Sequence, residues 1–94
     1  MAKLWTDQEF AITDEEYQKS VEKILGGLQV SRSDVFRNCC DKMPSRKPTS
    51  ISAHLGNLTT AREELGLPIL KEIAPFRNRP EKLITFLKSK YSLN

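Results

Sequence analysis

A small, mainly α-helical domain of four helices is the fold class the sequence predicts, with a helix-turn-helix-like pair at its centre and a short wing-like connection before the last helix. Three observations predict it. Apolar residues recur at helical spacing in separate runs, start and stop residues bracket those runs, and 94 residues suit one domain with a single core. A hydrophobic content of 38% and a charged content of 29% are ordinary for a folded chain. The expected division is a lead-in over residues 1–12 and a helical core over 13–94.

In the lead-in, Trp5 and Phe10 are the expected anchors to the core. Thr13-Asp14-Glu15-Glu16 fits a capping box, and that local role accounts for its acids. Tyr17, Val21, Ile24, Leu25 and Leu28 follow as one apolar stripe, and Gly26-Gly27 ends the helix. Ser31 or Ser33 opens a second helix with Val35, Phe36 and Cys39 inward, closed by Pro44. Pro44-Ser45-Arg46-Lys47-Pro48 reads as a loop, since two prolines bracket two cations.

Thr49 or Ser50 caps a third helix, 49–65, with Ile51, Leu55, Leu58, Ala61 and Leu65 inward and Gly66 as the stop. Within residues 68–79, Pro68 and Pro75 bound a segment too short for a strand, hence an extended or wing-like connection. Asn78 or Arg79 caps the last helix, with Pro80 at its first position and Leu83, Phe86, Leu87 and Tyr91 inward.

Several function classes are disfavoured. No apolar run is long enough to span a membrane, and residues 1–5 lack a secretory h-region, so a cytoplasmic protein without membrane contact is expected. Cys39 and Cys40 are adjacent, which opposes a disulfide between them, and His54 is the single histidine, too few ligands for zinc. No phosphate loop or nucleophile–base pair stands out. Neither an enzyme, a cofactor nor a small-molecule substrate is expected. By spacing, His54 flanks the apolar stripe as a structural histidine, and Arg62 at the stripe's other edge snorkels or pairs with an acid.

Charge is uneven. Net charge is +3, yet residues 1–31 carry three lysines against six acids, and residues 32–94 carry twelve cations against six acids. A basic remainder suits phosphate. Residues 33–65 have the outline of a helix-turn-helix, in which the second helix enters a major groove. With the stripe turned inward, Ser52, Ala53, Gly56, Asn57 and Thr60 point outward, and Asn is able to read adenine. Arg46, Lys47, Thr49 and Ser50 sit at the end of the helix that attracts anions, while Glu63 and Glu64 repel phosphate at the other. Arg77 and Arg79 form a second basic loop. These eleven residues are the expected contacts to double-stranded DNA. The competing expectation is a protein-interaction module, such as a phage or plasmid accessory factor docking on a host protein, with the small-residue face meeting another helix.

The run from Arg46 through His54-Leu55-Gly56-Asn57-Leu58 to Glu64-Leu65-Gly66-Leu67-Pro68, with Pro75-Phe76-Arg77-Asn78 after it, resembles the N-terminal module of HNH-type restriction endonucleases, including the methylation-dependent kind. The resemblance covers about residues 33–80. The family's Gly-aromatic-Lys before the later proline is replaced here by Glu72-Ile73-Ala74, and nothing resembles the nuclease half. It implies a detached DNA-recognition module from a restriction system or mobile element, without cleavage.

Overall fold

The structure, a computed structural model, describes residues 4–76 and 78–93. Four helices form in chain order: α1 (Asp7–Leu25), α2 (Arg32–Lys42), α3 (Pro48–Glu64) and α4 (Glu81–Lys90). Each packs on the next in sequence, and α4 returns to α1. The core between them holds Phe10, Tyr17, Val35, Ile51, Leu55, Leu58, Leu83 and Leu87. The mainly helical four-helix class expected from the apolar periodicity is the class observed.

Helix α1 starts a full two turns before the expected Thr13. Thr6 is its cap: the Thr6 hydroxyl accepts from the Glu9 N–H at 3.2 Å, and a Glu9 oxygen accepts from the Thr6 N–H at 3.0 Å. Both Thr6-x-x-Glu9 and Thr13-x-x-Glu16 fit the same box, and burial decides between them. Thr13 and Asp14 lie on the inner face with Phe10 and Tyr17, so the lead-in from residue 7 onward is helix. Glu16 is also buried and holds Lys42 of α2, a role capping does not explain. The far end differs in the other direction. Ile24, Leu25 and Leu28, expected in the core stripe, are exposed in and after the last turn.

Helices α1 and α3 both end in a Schellman arrangement, with Gly27 (φ 90°) and Gly66 (φ 75°) in the left-handed region. The Leu28 N–H then donates to Lys23 O at 2.9 Å and the Leu67 N–H to Arg62 O at 2.8 Å, which satisfies carbonyls the helix leaves open. Ser31 caps α2, accepting from Asp34 N–H at 3.1 Å. Lys47, not Thr49 or Ser50, is the cap residue of α3, with Pro48 at its first position. Pro80 caps α4, one place before its expected role.

Between α3 and α4 there is no wing: among the described residues no strand forms. The segment is a strap tied down by side chains. Leu70 and Ile73 enter the core, the Leu70 N–H donates to the Tyr17 hydroxyl at 2.8 Å, and the Phe76 N–H donates to Gly56 O at 3.1 Å. Beneath the strap, the fully buried Arg62 donates to Asp14 at 2.6 Å, Gln18 at 2.6 Å and Pro68 O at 2.9 Å. Lys90 and the Tyr91 hydroxyl complete the other oxygen of Asp14. One buried carboxylate therefore joins α1, α3 and the end of α4. Its charge is tolerable in a dry core because both oxygens are hydrogen-bonded and two cations face it.

Candidate nucleic-acid interface

Ten of the eleven expected contacts fall into three groups. The first group is held by the protein's own carboxylates. Arg46 is buried: its guanidinium grips both oxygens of Glu9, at 2.7 and 2.8 Å, donates to Leu4 O at 2.6 Å, and lies over the Trp5 ring at 4.5 Å. The hydrogen-bonded guanidinium holds the Glu9 carboxyl down to about 2. A cation so engaged is a structural tie between α1 and the α2–α3 loop, not a phosphate contact. Arg79 pairs with Glu64 and Glu81. Arg77 lies outside the described residues.

The second group is one flank of α3: Ser52, Gly56 and Thr60. Here the expectation of a groove-reading surface is overturned. Arg32 of α2 hydrogen-bonds Ser52 Oγ, and the Thr60 hydroxyl bonds Phe76 O. The Phe76 ring lies on Gly56 so closely that a Cβ there would stand 2.7 Å from its Cδ1. The glycine is required by the strap, so its residue type carried no information about DNA.

The third group stays open. Lys47 and Thr49 are exposed at the N-terminal end of α3, which no side chain caps, and Ser50, Ala53 and Asn57 are half-buried along its other flank. That flank floors a cleft of about 480 Å³ between the Leu4-Trp5 segment and the start of α4 at Pro80 to Lys82. The volume lies within the usual range of ligand sites. Asn57 lines it, and Asn57 Oδ1 is buried without a hydrogen-bond partner among the described residues. On the other side of Leu4 and Trp5, a wider groove of about 1080 Å³ runs between the first turns of α1 and the Lys82–Phe86 face of α4.

The back of the cleft is an aromatic stack. His54 lies 4.0 Å from the Trp5 ring centre, close to parallel, with Phe10 beyond at 5.6 Å from His54. His54 Nε2 is 2.9 Å from the Thr13 hydroxyl, and burial pushes its pKa down to about 4, so the imidazole is neutral at physiological pH. A neutral, stacked, hydrogen-bonded ring is a wall, not a ligand or base.

Sequence reasoning missed three residues of this region. Lys82 borders the cleft, Arg32 reaches α3, and Glu9 takes Arg46 out of service. Only Glu9 had a sequence signal, the Thr6-x-x-Glu9 box, and that signal concerns capping rather than Arg46. Cys39 is buried and its thiol pushed up to about 12, chiefly by burial, so it stays protonated as a core side chain. Among the described residues no group of three His, Cys, Asp or Glu side chains is placed to hold a metal ion, and no helix is long and apolar enough to cross a membrane. Comparison with protein-family models, curated proteins and solved structures finds no match to this chain.

Proposed function

We propose that the chain is a non-catalytic DNA-binding module that meets its partner with the N-terminal end and the open flank of α3. The observation that carries this reading is the Ser50–Ala53–Asn57 flank, which the fold leaves uncovered and bordered by cations. Lys47 stands at its N-terminal end and Lys82 borders it, and neither has an ion-pair partner among the described residues. The acids of α3, Glu63 and Glu64, lie at the opposite end of the helix. Phosphates approaching the N-terminal end therefore meet free N–H groups, the positive end of the helix dipole and unneutralised side chains. The resemblance to restriction-endonuclease modules points to the same helix.

The contact set differs from the one composition suggested. Lys47 replaces Arg46 as the phosphate contact, and Lys82 joins it. A polarisation titration against a labelled duplex at two salt concentrations tests this directly. Affinity is expected to fall as salt rises, by about 0.9 in logarithmic slope per phosphate contact, and Lys47→Ala reduces that slope by about one without changing the melting temperature. Arg46→Ala, by contrast, lowers the melting temperature, because it leaves the half-buried Glu9 without its cation and the α1 tie to the α2–α3 loop broken. Binding that ignores salt, or a Lys47→Ala protein indistinguishable from wild type, sinks the reading.

A protein partner is the second reading, and one observation favours it: Leu25 and Leu28 stand exposed beside Ile24 at the end of α1. Leu25→Ser with Leu28→Ser separates the two, since DNA binding at α3 is unaffected by changes there.

A further inference from the structure

Resting on the nucleic-acid reading above, we infer that the cleft on the open flank of α3 is a pocket for one unpaired nucleobase, held at its edge by Asn57. Four observations meet there. The floor is recessed: Ala53 and Asn57 are half-buried between the Leu4-Trp5 segment and the first residues of α4, so the edge of a base kept within a duplex does not reach them. Whatever touches Asn57 has to project from its backbone. Second, Asn57 Oδ1 is buried and lacks a donor. Such an acceptor costs about 1–3 kcal/mol in the empty protein, and turning the amide into the cleft towards an incoming N–H recovers it.

Third, the walls are largely apolar: Leu4, Trp5, Phe10 and Pro80 line the cleft, with the neutral His54. The broad faces of Trp5 and His54 are already stacked on one another, which fixes the width of the cleft instead of leaving it to collapse. A flat heterocycle suits such a slot. Fourth, cations stand where a displaced nucleotide's phosphates would lie: Lys82 borders the cleft on the α4 side, next to Glu81, whose charge Arg79 answers, and Lys47 stands one turn before Ser50. An amide that accepts from an exocyclic amino group and donates to the neighbouring ring nitrogen is the recognised complement of adenine, which makes adenine the base of choice. Extruding a paired base costs a few kcal/mol of stacking and pairing, so a base already unpaired binds best.

The experiment uses the full chain and three labelled DNA duplexes of equal length: fully paired, carrying one bulged adenine, and carrying an abasic bulge. Polarisation gives affinity. Trp5, the only tryptophan in the sequence, reports occupation of the cleft through its own fluorescence. The bulged adenine is expected to bind about ten-fold more tightly than either control, the size of one recovered buried hydrogen bond. It alone is expected to change the Trp5 emission. Asn57→Leu puts an apolar side chain of similar size in place of the amide and removes the acceptor. It is expected to abolish the preference, so that the bulged adenine binds no more tightly than the abasic bulge. Equal affinity for adenine and abasic bulges, or a preference that survives Asn57→Leu, overturns the pocket and leaves the DNA-binding reading standing. No binding to any of the three overturns both.

Discussion

The two flanks of α3 began as one surface in the sequence and became opposites in the fold. Ser52, Gly56 and Thr60 run down one side, Ser50, Ala53 and Asn57 down the other, and both sets are small or amide-bearing. The first side is closed by Arg32 from α2 and by Phe76 from the strap. The second is faced only by the Leu4-Trp5 segment and the start of α4, which stand apart and leave a cleft. Small residues on a helix therefore record that something comes close without saying what. On one flank it is the chain's own strap; on the other a cleft lies open, and only there do the residue types leave room for the partner proposed above.

The largest way to break this contrast is acid. His54 forms the rear wall of the open flank and is held neutral by burial at a pKa of about 4, against 6.5 in an unfolded chain. The unfolded state therefore binds a proton that the folded state refuses over this range. Stability is expected to be level above about pH 6.5 and to fall, on the order of 3 kcal/mol in all, as pH drops towards about 4. Glu9, whose folded pKa is depressed to about 2, adds a second loss as pH falls from about 4.5 through about 2. Urea midpoints across that range measure both steps. His54→Gln removes the upper step and keeps the lower one. A midpoint unchanged between pH 7 and 4.5 means that His54 is not sealed behind Trp5.

A smaller effect sharpens the closed flank. Gly56→Val sets a branched side chain against the Phe76 ring, where even a Cβ would approach within 3.0 Å of Cδ1, Cγ and Cε1. The expected loss is about 2 kcal/mol, typical of overpacking. In a Phe76→Ala background the same substitution meets open space and the cost largely vanishes, so the two changes couple strongly in a double-mutant cycle. Additive costs mean the strap does not rest on Gly56.

Why the sequence separates the flanks so poorly follows from where their partners lie. The stripe of Ile51, Leu55, Leu58 and Ala61 is legible because periodicity is local, and all four are buried as spacing predicts. Gly66 is legible for the same reason, as a stop signal within its own turn. Phe76 is twenty positions from Gly56 and Glu9 thirty-seven from Arg46, and no local pattern ties either pair. The capping box was misplaced for a related reason. Thr6 and Thr13 offer identical local chemistry, and only the burial of Thr13 and Asp14 against α3 and α4 selects the earlier one. Charge misled most. Composition counts Arg46 and Arg79 as available cations, and the fold binds both to its own carboxylates, whereas Lys47, one residue from Arg46, remains available.

The smallest expected effect bears on the open flank and has the opposite sign. Asn57→Leu, which the pocket reading uses to remove an acceptor, is expected to leave the free protein unchanged in stability or more stable by up to about 1 kcal/mol. It deletes a buried oxygen that no group satisfies, and it places a better helix former inside α3. A residue retained for packing behaves otherwise: substituting it destabilises, as Gly56→Val is expected to. The urea midpoint of Asn57→Leu at neutral pH is the measurement. A loss above about 1 kcal/mol shows the amide to be held by a contact within the protein, and the open flank then becomes a second closed one. A gain, with altered DNA binding, leaves Asn57 where a ligand residue stands, at a cost to the folded chain alone that only a partner offsets.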